Sequence, residues 1–185
     1  MVTELKWGII GLGNIARAFA RGVAGSRTGK LVAAGSRSQE SADRFAHEFG
    51  IEKCYPSYEQ LFEDDEVQAV YVATPHPLHP EWVFKAAEAG KHILCEKPIG
   101  INHAQAMAMC EAAWRHDVFL MEAFMYRCHP QTQKLVDLVA AGAVGEVRAL
   151  QGNFGFNAGF NPEGRVFAQQ LGGGGILDVG CYPIS

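Results

Sequence analysis

A glycine-rich turn near the start of the chain limits the available folds more than any other feature. Gly11, Gly13 and Ala16 form the pattern G-x-G-x-x-A, directly after an apolar run and directly before a stretch with helical periodicity. In that context the first glycine makes a tight turn and the second lets backbone N–H groups approach a pyrophosphate. The helix N-terminus adds unpaired donors and a partial positive charge. The pattern predicts a dinucleotide-binding strand–turn–helix unit, with an ordinary tight turn as the alternative.

Apolar runs and helical patterns alternate along the chain as far as residue 123. The predicted strands are Leu5–Ile10, Leu31–Gly35, Cys54–Tyr55, Val67–Ala73, His92–Cys95 and Val118–Ala123. The predicted helices are Asn14–Ala24, a helix capped by Ser38 that runs to Phe49, a short helix capped by Ser57, Pro80–Ala89, and a helix from Asn102 to about Arg115. The alternation predicts an α/β fold built on a Rossmann doubly wound parallel sheet.

The pattern changes after residue 123. Pro130–Ala141 predicts a helix, Val147–Phe156 has the alternation of an antiparallel strand, and a further helix is expected to begin near Ile176. One helix, one strand, a loop and the start of a helix cannot close a hydrophobic core. We therefore predict a dinucleotide-binding domain at 1–123, and at 124–185 the N-terminal part of a truncated substrate and oligomerisation domain, the beginning of an incomplete α/β unit.

Composition excludes several classes of protein. Hydrophobic residues make up 48% of the 185, enough for a buried core, and a net charge of −4 argues against a nucleic-acid surface. The five cysteines are odd in number and none has CxxC spacing, so we expect reduced thiols and no metal site. The N-terminus lacks the apolar segment of a signal peptide, and no apolar run approaches the ~18 residues of a membrane span. We expect a cytoplasmic protein that binds neither membrane nor nucleic acid.

The end of the second predicted strand bears on the choice of cofactor. NAD-preferring sites place an acid about twenty residues after the glycine turn, where it binds the ribose 2′-hydroxyl. Here Ser36, Arg37 and Ser38 occupy that region without an acid. An arginine can pair with a 2′-phosphate and stack on adenine, and serines can donate hydrogen bonds. The segment predicts NADP in preference to NAD, with a solvated arginine as the alternative.

Several further motifs resemble one enzyme family. Glu96-Lys97-Pro98 after a strand, and Thr74-Pro75 followed by His79, resemble the Gfo/Idh/MocA oxidoreductase family. Residues 121–130 and 173–183 are most similar to the branch of dimeric dihydrodiol dehydrogenases and NADP-dependent D-xylose dehydrogenases. The resemblance implies a longer protein, whose second domain contains a large, mostly antiparallel sheet. This chain departs from many relatives in having His76 where they have asparagine.

The resemblance implies a catalytic pair, Lys97 and Tyr182. Hydride transfer from an alcohol needs a base for the hydroxyl proton, and the reverse reaction needs an acid. A tyrosine has an ordinary pKa near 10, and a nearby lysine ammonium favours its phenolate. A surface ion pair of Glu96 with Lys97, and a core role for Tyr182, are the alternatives. Predicted substrate contacts are Asp178, Arg127 and Met125. Predicted cofactor contacts are Gly11, Leu12, Gly13, Asn14, Ile15, Ser36, Arg37, Thr74, Pro75, His79, Glu96 and Lys97.

These observations predict an oxidoreductase that transfers a hydride between NADP and a CH–OH group of a sugar or dihydrodiol. Oxidation of D-xylose or a related aldose at C1 is the best single candidate. A non-catalytic dinucleotide-binding protein and an inactive fragment of such an enzyme are the alternatives. The expected partners are a small sugar or diol and, through the second domain if complete, further copies of the chain.

Overall fold

The computed structural model describes residues 4–185, and residues 1–3, the start of the predicted first domain, lie outside that range. The chain forms two compact units, the first ending at Glu122 and the second running from Ala123 to Ser185. Among the helices of the described range, none is both long enough and apolar enough to cross a bilayer.

The first unit is built on one parallel sheet. Its six strands lie in the order β3-β2-β1-β4-β5-β6, and every neighbouring pair is parallel. The strands are β1 (Leu5–Ile10), β2 (Gly29–Gly35), β3 (Lys53–Tyr55), β4 (Ala69–Val72), β5 (His92–Cys95) and β6 (Leu120–Glu122). The strand order reverses between β1 and β4, which is where open parallel sheets bind ligands, beyond the carboxyl ends of the strands. The predicted Rossmann doubly wound sheet is confirmed.

Five helices connect these strands. They are α1 (Asn14–Ala24), α2 (Gln39–Phe49), α3 (Tyr58–Phe62), α4 (His79–Glu88) and α5 (His103–Arg115). One core joins α3, α4 and α5 to the sheet through fully buried Leu61, Val83 and Met109. Helix α1 packs elsewhere on the sheet, where Phe19 stacks on Tyr71 with ring centroids 4.1 Å apart. The central strand β4 is buried throughout, as expected for a strand covered on both faces.

The predicted capping residues begin and end helices as expected. The side chains of Ser38, Ser57 and Asn102 accept hydrogen bonds from backbone N–H groups of the first turns of α2, α3 and α5. Gly50 ends α2 in the left-handed region at φ 65°, which glycine adopts without steric cost. Short polar side chains at these positions therefore fixed the helix limits to within a residue or two.

The second unit departs from the prediction. It contains α6 (Pro130–Ala140), a π-helical turn at Ile176–Gly180 and the short α7 (Cys181–Ile184). The predicted strand at Val147–Phe156 is wrong, because these residues form no regular secondary structure. A strand needs a partner for its backbone N–H and C=O groups, and no strand is present among the described residues of this unit. The alternation of apolar and polar side chains in this segment indicates only that it could pair with a second strand.

Candidate dinucleotide and catalytic site

The glycine turn lies where the strand order reverses. Gly11 follows β1 with φ +78°, and a Cβ there would lie 2.6 Å from the carbonyl carbon and oxygen of Ala73, just beyond β4. Both the left-handed backbone and the close approach of two chains require glycine at this position. Ala16, fully buried in the first turns of α1, has the small side chain that the G-x-G-x-x-A pattern predicts. The predicted strand–turn–helix geometry is therefore present.

Gly13 is glycine for a different reason. Its φ of −84° is ordinary, and a Cβ built on it would meet no protein atom within 4 Å. Neither backbone strain nor packing within the protein therefore requires glycine there. The open space at Gly13, at the N-terminus of the 11-residue helix α1, leaves room for the pyrophosphate of a dinucleotide. Asn14 and Ile15 are exposed beside it, and Leu12 is half-buried.

The end of β2 presents a positive charge without a nearby acid. Arg37 is exposed, and no carboxylate forms an ion pair with it within residues 4–185. The Ser36 hydroxyl accepts a long hydrogen bond of 3.5 Å from the Ser38 N–H, which leaves the hydroxyl proton for another acceptor. These groups could bind a 2′-phosphate, and they offer no carboxylate for a 2′-hydroxyl.

Lys97 lies in a loop after β5 that other side chains fix in place. The Lys97–Pro98 peptide bond is cis. The Glu96 carboxylate accepts hydrogen bonds from the Tyr71 hydroxyl and, at 3.2 Å, from the Lys97 N–H. Glu96 is thus tied to β4 and to its own loop, which supports a structural role beside the predicted cofactor contact. The loop begins next to the end of β4, since the Glu96 N–H donates to Val72.

His79 joins two loops at the carboxyl edge of the sheet. Its Nδ1 lies 2.9 Å from the Pro98 carbonyl oxygen, and its Nε2 lies 2.9 Å from the Thr74 carbonyl oxygen. Burial lowers the pKa of His79, although the hydrogen bonds with backbone carbonyls oppose that effect. The side chain is fully buried. The ring therefore holds the two loops together, and the cofactor contact predicted for His79 stays a prediction.

The remaining cofactor candidates lie in the loop after β4. Pro75 is exposed, and Thr74 is only 5% exposed. The Thr74 hydroxyl is buried and has no hydrogen-bond partner among residues 4–185. An unsatisfied hydroxyl usually costs stability, so such groups are often found at functional sites. The unsatisfied hydroxyl therefore favours a role for Thr74 in binding a ligand.

In the second unit the predicted catalytic tyrosine contacts a predicted substrate residue. The Tyr182 hydroxyl donates to the Met125 sulfur at 3.4 Å. The Tyr182 ring packs on Phe154 with centroids 4.9 Å apart, and on Phe124 edge-on at 5.5 Å. Arg127 donates to the Ser185 carbonyl at 2.6 Å. Tyr182 is therefore held in an aromatic cluster with its hydroxyl beside an exposed thioether.

Asp178 is buried and paired with an arginine of the same unit. Its side chain is 5% exposed, and Arg165 donates to its carboxylate at 2.8 Å. A buried carboxylate is stable only when it is paired, so Arg165 stabilises Asp178 in this position. The predicted contact of Asp178 with substrate stays a prediction.

Sequence reasoning missed three side chains of the first unit. Glu122, at the end of β6, accepts the Ile99 N–H at 2.8 Å, and Tyr71 binds Glu96. Tyr58, the first residue of α3, lies near both Gly11 and Arg37. The only available signal was position, since Glu122 lies near the end of the predicted strand Val118–Ala123 and Tyr58 follows a predicted cap. Lys97 belongs to the first unit and Tyr182 to the second, and their convergence stays a prediction.

The parallel sheet, the glycine turn and the fixed lysine loop define a dinucleotide-binding oxidoreductase fold, and comparisons with known proteins agree. A family model described as "Oxidoreductase family, NAD-binding Rossmann fold" matches residues 5–124, and the Gfo/Idh/MocA C-terminal domain matches residues 132–185. The chain belongs to the Gfo/Idh/MocA oxidoreductase family.

Similar proteins include enzymes with characterised substrates. Trans-1,2-dihydrobenzene-1,2-diol dehydrogenase of Mus musculus is 38% identical over 180 residues, 96% of this chain and 54% of that protein. D-xylose 1-dehydrogenase (NADP(+)) 2 of Haloferax volcanii is 40% identical over 156 residues, 84% of this chain and 48% of that protein. KijD10, a 3-ketoreductase from Actinomadura kijaniata solved with NADP and TDP-benzene, matches with a TM-score of 0.82 and 33% identity, over 98% of this chain and 56% of that one. The chain spans about half the length of these relatives.

Proposed function

We propose that the chain is the N-terminal part of an NADP-dependent oxidoreductase that transfers a hydride between NADP and a CH–OH group of a sugar or dihydrodiol. D-xylose or a related aldose, oxidised at C1, is the preferred substrate. The observation that carries the proposal is the glycine turn where the strand order reverses, with Gly11 required by its backbone and open space at Gly13. The exposed Arg37 at the adjacent strand end supports NADP in preference to NAD.

The residues of the first unit would hold the cofactor along the carboxyl edge of the sheet. Backbone N–H groups after Gly13 would bind the pyrophosphate, and Arg37 with the Ser36 hydroxyl would bind the 2′-phosphate. The loop of Thr74 and Pro75 lies between these groups and Lys97 in the order of the strands. Bound NADP supplies the nicotinamide carbon that accepts or gives the hydride.

Lys97 and Tyr182 would perform the proton chemistry. In the oxidation of an alcohol, the Tyr182 phenolate would take the hydroxyl proton and become a neutral phenol, and the Lys97 ammonium would favour that phenolate beforehand. The loop around Lys97 is fixed by Glu96, His79 and Glu122, so the ammonium is attached to a rigid support. The Met125 sulfur, which now accepts the Tyr182 hydrogen, is a weak acceptor that a substrate oxygen can replace.

The relatives support the reaction class. Similar proteins are a dihydrodiol dehydrogenase, an NADP-dependent xylose dehydrogenase and a 3-ketoreductase solved with NADP. The solved KijD10 structures also include variants in which a lysine or a tyrosine is replaced. Each of these relatives is named as a dehydrogenase or a ketoreductase.

The test is steady-state NADPH formation with D-xylose, other aldoses and a trans-dihydrodiol. We expect Lys97→Ala and Tyr182→Phe each to lower kcat by roughly 10²- to 10⁴-fold, the usual contribution of a positioned acid or base. Tyr182→Phe should leave the NADP dissociation constant almost unchanged. Tyr126→Phe, whose hydroxyl lies 2.6 Å from the Ser185 hydroxyl, is the matched control and should retain turnover.

Binding and turnover together separate the candidate functions. NADP binding without turnover on any tested alcohol would favour the non-catalytic dinucleotide-binding protein or an inactive portion of the enzyme. Absence of NADP binding would contradict both the enzyme and the binding protein. Near-normal turnover in Lys97→Ala or Tyr182→Phe would remove that residue from the mechanism.

A further inference from the structure

One peptide group of the glycine turn is held at both of its ends. The Gly13 N–H donates to the Gly11 carbonyl at 2.7 Å, and the Leu12 carbonyl of the same peptide accepts from Arg17 Nη1 at 3.2 Å. Arg17 lies in the first turns of α1, just after the glycine turn. The peptide between Leu12 and Gly13 is therefore fixed, with its carbonyl oxygen directed at the Arg17 guanidinium.

Arg17 is itself held by helix α2. Its Nε donates to the Glu48 carboxylate at 2.9 Å, and its Cζ lies 5.7 Å from the centroid of the Phe45 ring. The planar fork of arginine allows Nε to bind α2 while Nη1 binds the turn. Because α2 already restricts this side chain, the additional hydrogen bond to Leu12 costs little further conformational entropy.

Glycine at position 13 makes such a restraint necessary. Without a Cβ, glycine has more accessible backbone conformations than other residues, and a Cβ at Gly13 would meet no protein atom within 4 Å. Neither a side chain nor its packing therefore restricts the backbone there. A Leu12 carbonyl released from Arg17 could rotate, and its partial negative charge would repel a phosphate that it approached. The same rotation would displace the N–H groups that follow at the start of α1.

The start of α1 is arranged to bind an anion. Its N-cap is Gly13, no side chain caps it among residues 4–185, and its first turn contains no acidic residue. By contrast, α2, α3 and α5 are capped by Ser38, Ser57 and Asn102. The first N–H groups of an uncapped helix keep their hydrogens for a ligand, and the helix dipole adds partial positive charge. The direction of these N–H groups depends on the peptide before them, which Arg17 holds.

We propose that Arg17 is a positioning residue for the pyrophosphate of the dinucleotide, and that it acts by fixing the peptide between Leu12 and Gly13. The inference rests on the proposed binding of NADP. Because NADP and NAD share the pyrophosphate, loss of Arg17 should weaken the binding of both equally. A residue that contacted the 2′-phosphate would affect NADP alone. A merely structural role in packing α1 on α2 would also weaken a ligand that lacks the pyrophosphate.

The experiment compares Arg17→Met with Arg44→Met in the same 185-residue chain. Methionine keeps an unbranched apolar side chain and a high helix propensity but removes every donor. Arg44 is the matched control, an exposed arginine of α2 that binds Glu40 and Ser41. Dissociation constants are measured for NADP, NAD and 2′-AMP, which carries a 2′-phosphate without a pyrophosphate. We expect Arg17→Met to weaken NADP and NAD binding equally, by roughly 3- to 10-fold, the effect of one hydrogen bond, with 2′-AMP unchanged. Arg44→Met should change none of them.

Amide hydrogen exchange without ligand tests the restraint itself. In Arg17→Met the peptide is held only through the Gly11 carbonyl, so the Gly13 N–H should exchange roughly 3- to 10-fold faster than in wild type. The Lys91 N–H, which donates to the Ala86 carbonyl at 2.9 Å just after α4, is the internal reference and should exchange at the same rate in both chains.

The outcomes separate the possible roles of Arg17. An unchanged NADP constant, a loss for NADP without a loss for NAD, or an equal loss for 2′-AMP would each overturn the inference. Weaker binding with an unchanged Gly13 exchange rate would also overturn it, because Arg17 would then contact the ligand directly. The Arg17–Glu48 ion pair is partly exposed, so the melting temperature should fall by no more than about 4 °C. A larger fall would assign Arg17 to helix packing instead. Failure of the wild-type chain to bind any of the three ligands would overturn the proposed function itself.

Discussion

The Glu122 carboxylate accepts the backbone N–H of Ile99 at 2.8 Å, which joins the end of β6 to the loop that carries Lys97. Replacing Glu122 by leucine leaves that partly buried N–H without its partner, which typically costs about 1–3 kcal/mol. Glutamine retains an acceptor oxygen at the same reach and should lose less than about 1 kcal/mol. Denaturant unfolding of both variants measures the difference. Equal destabilisation by glutamine and leucine would show that this hydrogen bond does not stabilise the loop.

His79 makes stability depend on pH. Burial lowers its pKa from the ordinary value of 6.5, so the folded state resists a proton that the unfolded chain accepts. The unfolded state therefore binds more protons below pH 6.5, and the free energy of unfolding should fall as the pH falls through that value. Above it the contribution of His79 is fully present.

The measurement compares wild type with His79→Gln at pH 7.5 and pH 5.5. The neutral imidazole donates through one nitrogen only, so the loss in the variant comes from the buried ring that glutamine does not replace, and the variant should be about 1–3 kcal/mol less stable at the higher pH. The difference should shrink at the lower pH, because glutamine does not titrate. The ring centroid of the neighbouring His76 is 5.7 Å away, so both chains carry His76→Asn to keep a second imidazole out of the comparison. A difference that grows towards low pH would contradict the lowered pKa.

Reversing the charge at Arg37 should change cofactor preference. Arg37→Glu removes a charge-assisted hydrogen bond to a 2′-phosphate, worth about 1.5–3 kcal/mol, and adds repulsion. We expect NADP affinity to fall by at least about tenfold, while NAD affinity is retained or increases because a carboxylate can accept from a 2′-hydroxyl. Titration of both dinucleotides checks the prediction. Arg44→Glu, an exposed position on α2 that binds only Glu40 and Ser41, is the control. Equal losses for the two cofactors would refute the assignment.

The sequence predicted the sheet well because its apolar runs and caps are short contiguous patterns, and each of those runs has a partner strand in the first unit. The Ser38 side chain accepts a hydrogen bond from the backbone N–H three residues later, and β4 is a continuous apolar run. Val147–Phe156 failed for the opposite reason, since a strand exists only where a second strand pairs with it. The pattern of side chains could not reveal whether a partner was present.

The candidate site was predictable only where one short segment carries it. The turn from Gly11 to Ala16 and the Glu96-Lys97-Pro98 loop are contiguous motifs, and both lie at the carboxyl edge of the sheet. The contacts that fix the lysine loop join residues 19 to 25 positions apart, as His79 with Pro98 and Tyr71 with Glu96 do. Spacing along the chain does not indicate which side chains reach each other across strands, so it could not reveal that His79 joins two loops or that Tyr71 binds Glu96.

The two glycines of the turn provide a test that separates folding from binding. At Gly11 an alanine Cβ would lie 2.6 Å from Ala73 backbone atoms and require φ +78°, so Gly11→Ala should lower the free energy of unfolding by more than about 1 kcal/mol. At Gly13 the backbone is ordinary and the Cβ meets nothing within 4 Å, so Gly13→Ala should leave stability unchanged or raise it by about 0.4–1 kcal/mol.

NADP binding should separate the two glycines differently from stability. Gly13→Ala, which the fold should tolerate, is expected to weaken NADP binding strongly. The alanine methyl at residue 13 would occupy the space proposed for the pyrophosphate, so a fully folded Gly13→Ala chain should bind NADP at least about tenfold more weakly, a loss of about 1.4 kcal/mol. Gly22→Ala is the control, because a Cβ at Gly22 also meets nothing within 4 Å but lies within α1, away from the turn. It should bind NADP normally. A Gly13→Ala chain with wild-type affinity would mean that the open space beside Gly13 is not a pyrophosphate site, because a methyl group within van der Waals reach of the bound phosphates must weaken their contact with the backbone.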